Sequence, residues 1–125
     1  MAKLEIRGRI PSKKNSRQQV RLGNGRRINI PSKKYKEWHN DATAQVAMQN
    51  IKPFKGIVGV EIDFYMPDNR KADLSNKCES IMDLLVDCGV IEDDCWQKIP
   101  HIILNFVDID KLNPRAEIWI KKLEN

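Results

Sequence analysis

The sequence is poor in the residues that build disulfide frameworks, zinc sites and membrane spans. It has three cysteines, at positions 78, 88 and 95, and two histidines, and no two cysteines form a CxxC pair. An odd number of cysteines at unmatched spacing argues against a disulfide framework and indicates a reducing compartment, and a structural zinc site is not expected. No stretch approaches the roughly 20 apolar residues of a membrane span, and the N-terminus has no apolar signal segment. We therefore expect a cytoplasmic protein that binds neither a membrane nor a small-molecule cofactor.

Linkers, internal repeats and low-complexity segments are also absent, which predicts that residues 1–125 form one domain. Helical spacing of apolar residues predicts helices over 33–50, after the N-cap residue Ser32, and over 74–88, before Gly89. Apolar–polar alternation and a glycine-rich hairpin turn predict six strands, at 4–10, 18–22, 26–30, 56–66, 101–109 and 115–123. The order β-β-β-α-β-α-β-β therefore predicts an α/β protein of the α+β type, with two helices on one face of a single mixed, largely antiparallel sheet.

The net charge is +5, but basic and acidic residues are segregated. Residues 1–40 contain twelve Lys or Arg and two Glu, whereas residues 73–94 contain seven acidic residues and one lysine. A basic region suggests a polyanion as partner, since cations neutralise phosphates and release counterions; an ordinary solvated surface is the alternative. The acidic segment favours a nuclease over a simple DNA-binding module, because carboxylates hold the metal ion that engages the phosphate.

The acidic segment also has simpler structural explanations. Glu79 and Asp83 are neighbours on one face of the predicted helix, where their like charges repel unless a cation offsets them. Asp73 precedes the helix, where an aspartate is commonly an N-cap, and Asp93 and Asp94 follow it, where acids are common in solvated turns. The predicted helix of fifteen residues is ~20 Å long. Asp73 and Asp94 can therefore meet only if the following loop folds back along the helix.

Several motifs, in order along the chain, resemble the RusA family of Holliday junction resolvases, which occurs in bacteria and is often carried by phages and prophages. PSKKNSR at 11–17 resembles the family's proline followed by Lys-Asn-x-Arg, and PSKKYKEW at 31–38 resembles its Pro-Ser-x-x-Tyr-x-x-Trp. DLSN at 73–76 resembles its Asp-x-Asp-Asn signature, while DLL at 83–85 and GVIEDD at 89–94 resemble its Asp-x-Leu and Gly-Val-x-x-Asp-Asp run. A Pro-Arg pair before the last strand also fits. No single motif is specific, but the ordered set is.

The resemblance implies a homodimer that binds four-way DNA junctions and makes paired nicks by phosphodiester hydrolysis. It also implies Mg²⁺, with Mn²⁺ as an alternative, held by aspartates. Asp73 matches the first signature aspartate, and Asp94, with Asp93 beside it, matches the later catalytic aspartate. The predicted catalytic residues are Asp73, Asp94, Asp93, Glu79 and Lys77, and the predicted metal ligands are Asp73, Asp94, Glu79 and Asp83.

Two positions depart from the family's pattern. Ser75 stands where the family has its second signature aspartate, and Glu79 stands where it has a catalytic lysine. We therefore expect Glu79 to substitute as a metal ligand, and Lys77 or Lys71 to substitute as the catalytic cation. An altered or inactive site is the alternative.

The predicted DNA contacts are basic and polar residues of the loops and the first helix, namely Lys13, Lys14, Asn15, Arg17, Lys33, Lys34, Tyr35, Arg70 and Lys71. Tyr35 is a candidate for stacking on unpaired bases, although residues at helical spacing more often belong to a core, as we expect for Trp38. Two other functions stay open. One is a non-catalytic nucleic-acid-binding protein with a degenerate nuclease site, which Ser75 favours, and the other is a phage replication accessory protein that acts through protein contacts.

Overall fold

The computed structural model describes residues 1–12 and 17–123, except for the side chains at 17, 18, 29 and 31. Eight elements follow one another in the predicted order: β1 (Ala2–Arg7), β2 (Arg17–Arg21), β3 (Arg27–Pro31), α1 (Lys33–Met48), β4 (Val58–Met66), α2 (Leu74–Asp87), β5 (Ile102–Ile109) and β6 (Arg115–Lys122). The predicted element order and the α+β class are confirmed, with small shifts at the ends of the elements. No helix in the described part of the chain is long and apolar enough to cross a membrane.

The strands form two sheets, which corrects the predicted single sheet. The main sheet has the order β1-β6-β4-β5, and β2 and β3 form a separate hairpin. Among the described side chains of the hairpin, Leu22 and Ile28 remain 38% and 39% exposed, Val20 and Ile30 are partly buried, and none belongs to the core beneath the main sheet. Within the main sheet β4 and β5 are parallel, because α2 carries the chain across between them, and the other pairs are antiparallel.

The core lies between one face of the main sheet and both helices. Alternate residues of β4, including Ile62 and Phe64, are fully buried, as is Ile118 of β6, while their neighbours point to the opposite, more polar face. Ala42 of α1 and Leu84 of α2 are buried in the same cluster. Both helices therefore cover one face of the sheet, as the alternation predicts.

Both helices have defined ends. Ser32 caps α1, since its Oγ accepts a hydrogen bond from the Tyr35 backbone N–H at 3.1 Å. After α2, Gly89 takes a φ of 73°, a left-handed conformation that favours glycine. The chain then turns back on the helix, because the Val90 N–H donates to the carbonyl of Leu85 at 2.9 Å. This reversal directs the acidic loop after α2 back towards the helix.

Candidate active site

A cleft of about 440 Å³ opens at the N-terminal end of α2. Its walls come from the segment after β1, from α1, from the loop between β4 and α2, and from the first turn of α2. Its lining contains five basic and two acidic side chains, namely Arg9, Lys34, Arg70, Lys71, Lys77, Asp68 and Asp73. A larger hollow of about 700 Å³ beside residues 50–55 is lined by no Asp, Glu or His. The smaller cleft therefore combines cations with carboxylates, as phosphodiester chemistry requires.

Asp73 occupies the N-cap position of α2 but does not act as a cap. Its side chain makes no capping hydrogen bond to the helix backbone, and the residue is exposed. The amide Nδ2 of Asn76 lies 3.4 Å from its Oδ2. The helix backbone therefore does not bind this carboxylate, which remains available to a ligand in the cleft.

Lys77 forms part of the cleft wall from one turn further along α2. Only 7% of the residue is exposed, and its Nζ donates a hydrogen bond to the backbone carbonyl of Ile10 at 2.6 Å. Burial, together with the nearby charge of Arg9, lowers the pKa of this amine. The same turn of the helix also binds the next carbonyl, since Ser80 Oγ donates to Pro11 O at 2.6 Å. The predicted cation is thus a buried amine at the cleft, fixed between α2 and the segment after β1.

Asp68 and Arg9 were not predicted as site residues. The Asp68 carboxylate accepts hydrogen bonds from the guanidinium groups of Arg9 and Arg70, which hold its pKa well below the usual range. Arg9 and Asp68 are 59 positions apart in the chain. No local pattern links residues at that separation, so the sequence carries no signal for this contact.

The acidic loop after α2 reaches the side of the helix. Burial, together with the negative charges of Glu79 and Asp94, raises the pKa of the Cys78 thiol to about 11. Both carboxylates therefore lie near enough to Cys78 to act on its charge, but neither lines the cleft. The Asp93 carboxylate accepts a hydrogen bond from the backbone N–H of Asp94 at 2.8 Å. This bond stabilises the turn that presents Asp94.

The predicted ligand Asp83 lies in a different group of side chains. It belongs to a cluster with His39 and Asp87, in which the possible metal-ligand atoms of the three side chains lie within 4.8 Å of one another. This is the one cluster of three His, Cys, Asp or Glu residues that meets this distance within residues 1–12 and 17–123. Tyr35 donates its hydroxyl to Asp83 at 2.9 Å, and His39 Nε2 lies 2.9 Å from Asp87 Oδ2. These bonds join α1 to α2, so they account for the convergence of the two carboxylates without an ion.

The predicted DNA contacts fall into four sets. Lys34, Arg70 and Lys71 line the cleft. Lys33 is exposed elsewhere on α1, with its Nζ 3.9 Å from Glu37. Tyr35 runs against the expectation of base stacking, because it is only 4% exposed and its ring belongs to the interior. The remaining predicted contacts lie outside the described part of the structure: Lys13, Lys14, Asn15 and the side chain of Arg17.

Comparison with known families matches residues 9–121 to the family described as Endodeoxyribonuclease RusA. The chain belongs to the RusA family. The match spans the cleft, α2 and the acidic loop, so the ordered motifs and the geometry fall within the same aligned region. No curated protein matches the chain. This RusA-family protein is therefore an endodeoxyribonuclease, a hydrolase of the kind that acts on branched DNA junctions.

Proposed function

We propose that this enzyme resolves four-way DNA junctions by paired, metal-dependent phosphodiester hydrolysis, acting as a homodimer. The observation that carries the proposal is the placement of Asp73. Its carboxylate makes no helix-capping bond, it is exposed, and it lines the same cleft as the buried amine of Lys77. A carboxylate beside a cation in a basic cleft suits a reaction in which negative charge develops on a phosphate.

Carboxylate oxygens are the donors that Mg²⁺ and Mn²⁺ prefer. Asp73 at the start of α2, and Glu79 with Asp94 beside Cys78, offer such oxygens along one helix. We propose these three residues as the ligands, although Glu79 and Asp94 do not line the cleft and the three carboxylates do not form a group within 4.8 Å, so an ion would have to draw them together. Asp93 would orient Asp94 through its bond to the Asp94 N–H. When bound, the ion would polarise the phosphate and lower the pKa of a bound water.

The other cleft residues bind and orient the DNA strand. Lys77 would stabilise the charge on the phosphate or on the departing oxygen, from an amine that its bond to the Ile10 carbonyl holds in place. Lys71, the alternative cation, is exposed on the cleft wall. Lys34 and Arg70 would contact the backbone phosphates on either side.

The homodimer is supported by the edge strand β5. Five of its apolar residues are exposed, namely Ile102, Ile103, Phe106, Val107 and Ile109, at 38%, 49%, 56%, 43% and 36%. β5 pairs with β4 on one side only, so its other edge has no neighbour within the described sheet. A second copy related by a two-fold axis would cover this edge and place two clefts on two symmetric strands.

All three cysteines are free thiols, which supports a reducing cytoplasmic setting.

The proposal is tested with a labelled four-way junction and purified protein, incubated with Mg²⁺, with Mn²⁺ or with EDTA. We expect symmetric nicks only when a divalent ion is present. Binding without nicks in any of these conditions would instead support the second candidate, a non-catalytic binding protein, which the serine at position 75 favours. Neither binding nor nicking would contradict both.

The proposal that Glu79 replaces the carboxylate absent at position 75 is tested separately. If Glu79 supplies the carboxylate that Ser75 lacks, Glu79→Gln should raise the Mg²⁺ concentration needed for half-maximal cleavage by about 10–100-fold. Ser75→Asp in the same chain should restore the requirement towards its original value. Cleavage by Glu79→Gln at unchanged Mg²⁺ would show that Glu79 is not a ligand.

A further inference from the structure

Three charged residues form a compact group at the mouth of the cleft. Arg9 follows β1, whereas Asp68 and Arg70 belong to the loop between β4 and α2. Arg9 Nη2 and Arg70 Nε and Nη2 all contact the same oxygen, Asp68 Oδ2, with the two Arg70 atoms at 3.0 and 2.9 Å. The Arg70 backbone N–H donates to the other oxygen, Oδ1, at 3.1 Å. One carboxylate therefore sets the positions of two guanidinium groups from distant parts of the chain.

Both arginines keep donors for a second anion. A guanidinium carries five N–H donors, and Asp68 engages only Nη2 of Arg9 and Nε and Nη2 of Arg70. The side chains remain 39% and 75% exposed, respectively. A planar fork with unused donors matches the oxygens of a phosphate better than a lysine does.

The charge of the surroundings favours the same ligand. Lys34, Lys71 and Lys77 share the cleft with the two arginines, against the two carboxylates of Asp68 and Asp73. Because both oxygens of Asp68 are engaged by Arg9 and Arg70, this residue is a poor replacement for the metal-binding carboxylate absent at position 75. We propose that Asp68 positions Arg9 and Arg70 as a clamp for a phosphodiester group of the DNA strand that passes beside Asp73 and Lys77. The clamp rests on the proposed function, since it serves the same cleavage site.

Removing the Asp68 charge distinguishes positioning from simple electrostatics by the sign of the effect. Asp68→Asn makes the protein more positive by one charge, so plain attraction to DNA should become stronger. A clamp that loses its central carboxylate should hold the strand less well aligned, and cleavage should become slower. The matched control is Glu5→Gln, which removes the same charge from another carboxylate–arginine pair, between Glu5 and Arg7 on β1, outside the cleft.

The first measurement is the single-turnover cleavage rate of a labelled junction, with protein in excess and saturating Mg²⁺. We expect Asp68→Asn to cleave about 10–100-fold more slowly than the wild type, and Glu5→Gln to cleave at the wild-type rate. Asp68→Glu, which keeps the carboxylate, should recover part of the loss. In an Arg9→Gln/Arg70→Gln background, Asp68→Asn should have little further effect, because residues that act as one unit are not additive.

The second measurement is junction binding in EDTA at several salt concentrations, which needs no cleavage. Replacing both arginines should make the log–log salt dependence shallower by about 0.9 for each phosphate that the variant no longer neutralises. Arg7→Gln, a neighbouring arginine outside the cleft, is the matched control and should leave the slope unchanged. Thermal unfolding of each variant shows whether a slow variant is simply unfolded.

The outcomes separate the clamp from the proposed function. A wild-type protein that cuts no junction, with a salt slope that still falls in the double arginine variant, overturns the proposed function and retains the clamp as a phosphate-binding group. A wild-type protein that cuts while Asp68→Asn cuts equally fast overturns the clamp alone. An Asp68→Asn defect that persists in full without the arginines, or that is relieved by extra Mg²⁺, also overturns it, because Asp68 would then act on the metal or on the fold.

Discussion

The two ends of α2 carry carboxylates in opposite circumstances. Towards the C-terminal end, Asp83 accepts a hydrogen bond from Tyr35 of α1, and Asp87 Oδ2 lies 2.9 Å from His39 Nε2 of the same helix. These contacts join the two helices. At the N-terminal end, Asp73 makes no cap bond and faces a cleft whose other charged residues are mostly basic. The same kind of side chain therefore joins two helices at one end of α2 and is free of a capping bond, beside the proposed reaction site, at the other.

The difference teaches that a row of acids at helical spacing is not by itself a metal site. Like charges on a helix can be offset by neutral and basic side chains of a neighbouring helix as well as by an ion. What distinguishes Asp73 is the absence of a capping bond together with the buried amine of Lys77 nearby. The partners of each carboxylate, more than the number of carboxylates, therefore guide the choice of candidate metal ligands.

The largest expected effect comes from removing the Asp73 charge. Asp73→Asn should lower the cleavage rate by at least about 10²-fold, because the reacting phosphate then lacks a metal-binding carboxylate. Asp87→Asn is the matched change at the other end of α2 and should cleave near the wild-type rate. Both are measured on a labelled four-way junction with Mg²⁺, and equal losses in the two variants would erase the distinction between the two ends.

The next effect concerns which lysine acts. Lys77→Met should slow cleavage by about 10–100-fold, since the transition-state charge loses a fixed cation, whereas Lys71→Met should mainly weaken binding. Single-turnover rates and junction affinities in EDTA separate the two contributions. A rate loss seen only in Lys71→Met would instead indicate that Lys71, the exposed lysine, is the catalytic cation.

A smaller effect is expected where α1 meets α2. Tyr35→Phe removes the hydroxyl that donates to Asp83 and should lower the free energy of unfolding by about 1.5–3 kcal/mol, the range for hydrogen bonds to charged groups. Urea unfolding measures the change, and cleavage by the folded variant should be unaltered. Weakened junction binding with unchanged stability would revive a DNA-stacking role for this tyrosine.

The smallest effect is a pH dependence of stability due to Lys77. Burial lowers its pKa in the folded protein below the ordinary value of 10.5, so between the lowered pKa and 10.5 the unfolded chain binds more protons than the folded one. The stability of the wild type relative to Lys77→Met should therefore be constant at lower pH and rise as the pH increases through that window. Unfolding curves of both proteins across this range test the sign, and a fall would contradict the burial of the amine.

Local patterns predicted the elements better than the contacts. Periodicity located both helices and all six strands, because alternation and helical spacing are properties of neighbouring residues. The hairpin was wrongly expected to join a single sheet, since pairing depends on which faces are buried. Tyr35 shows the same limit, because helical spacing alone left both the core and DNA stacking open, and packing against α2 decided for the core.

By itself, the sequence determined the fold class, the family and the identity of Asp73 and Asp94 as candidates, because these follow from local periodicity and from motifs in a fixed order. Only the tertiary structure decided how each charged residue is used. It buried Lys77 against the Ile10 carbonyl and joined Asp68 to Arg9 across 59 positions. The physical reason is that burial and hydrogen bonding, which set the charge and availability of a side chain, depend on neighbours that the chain brings together only by folding.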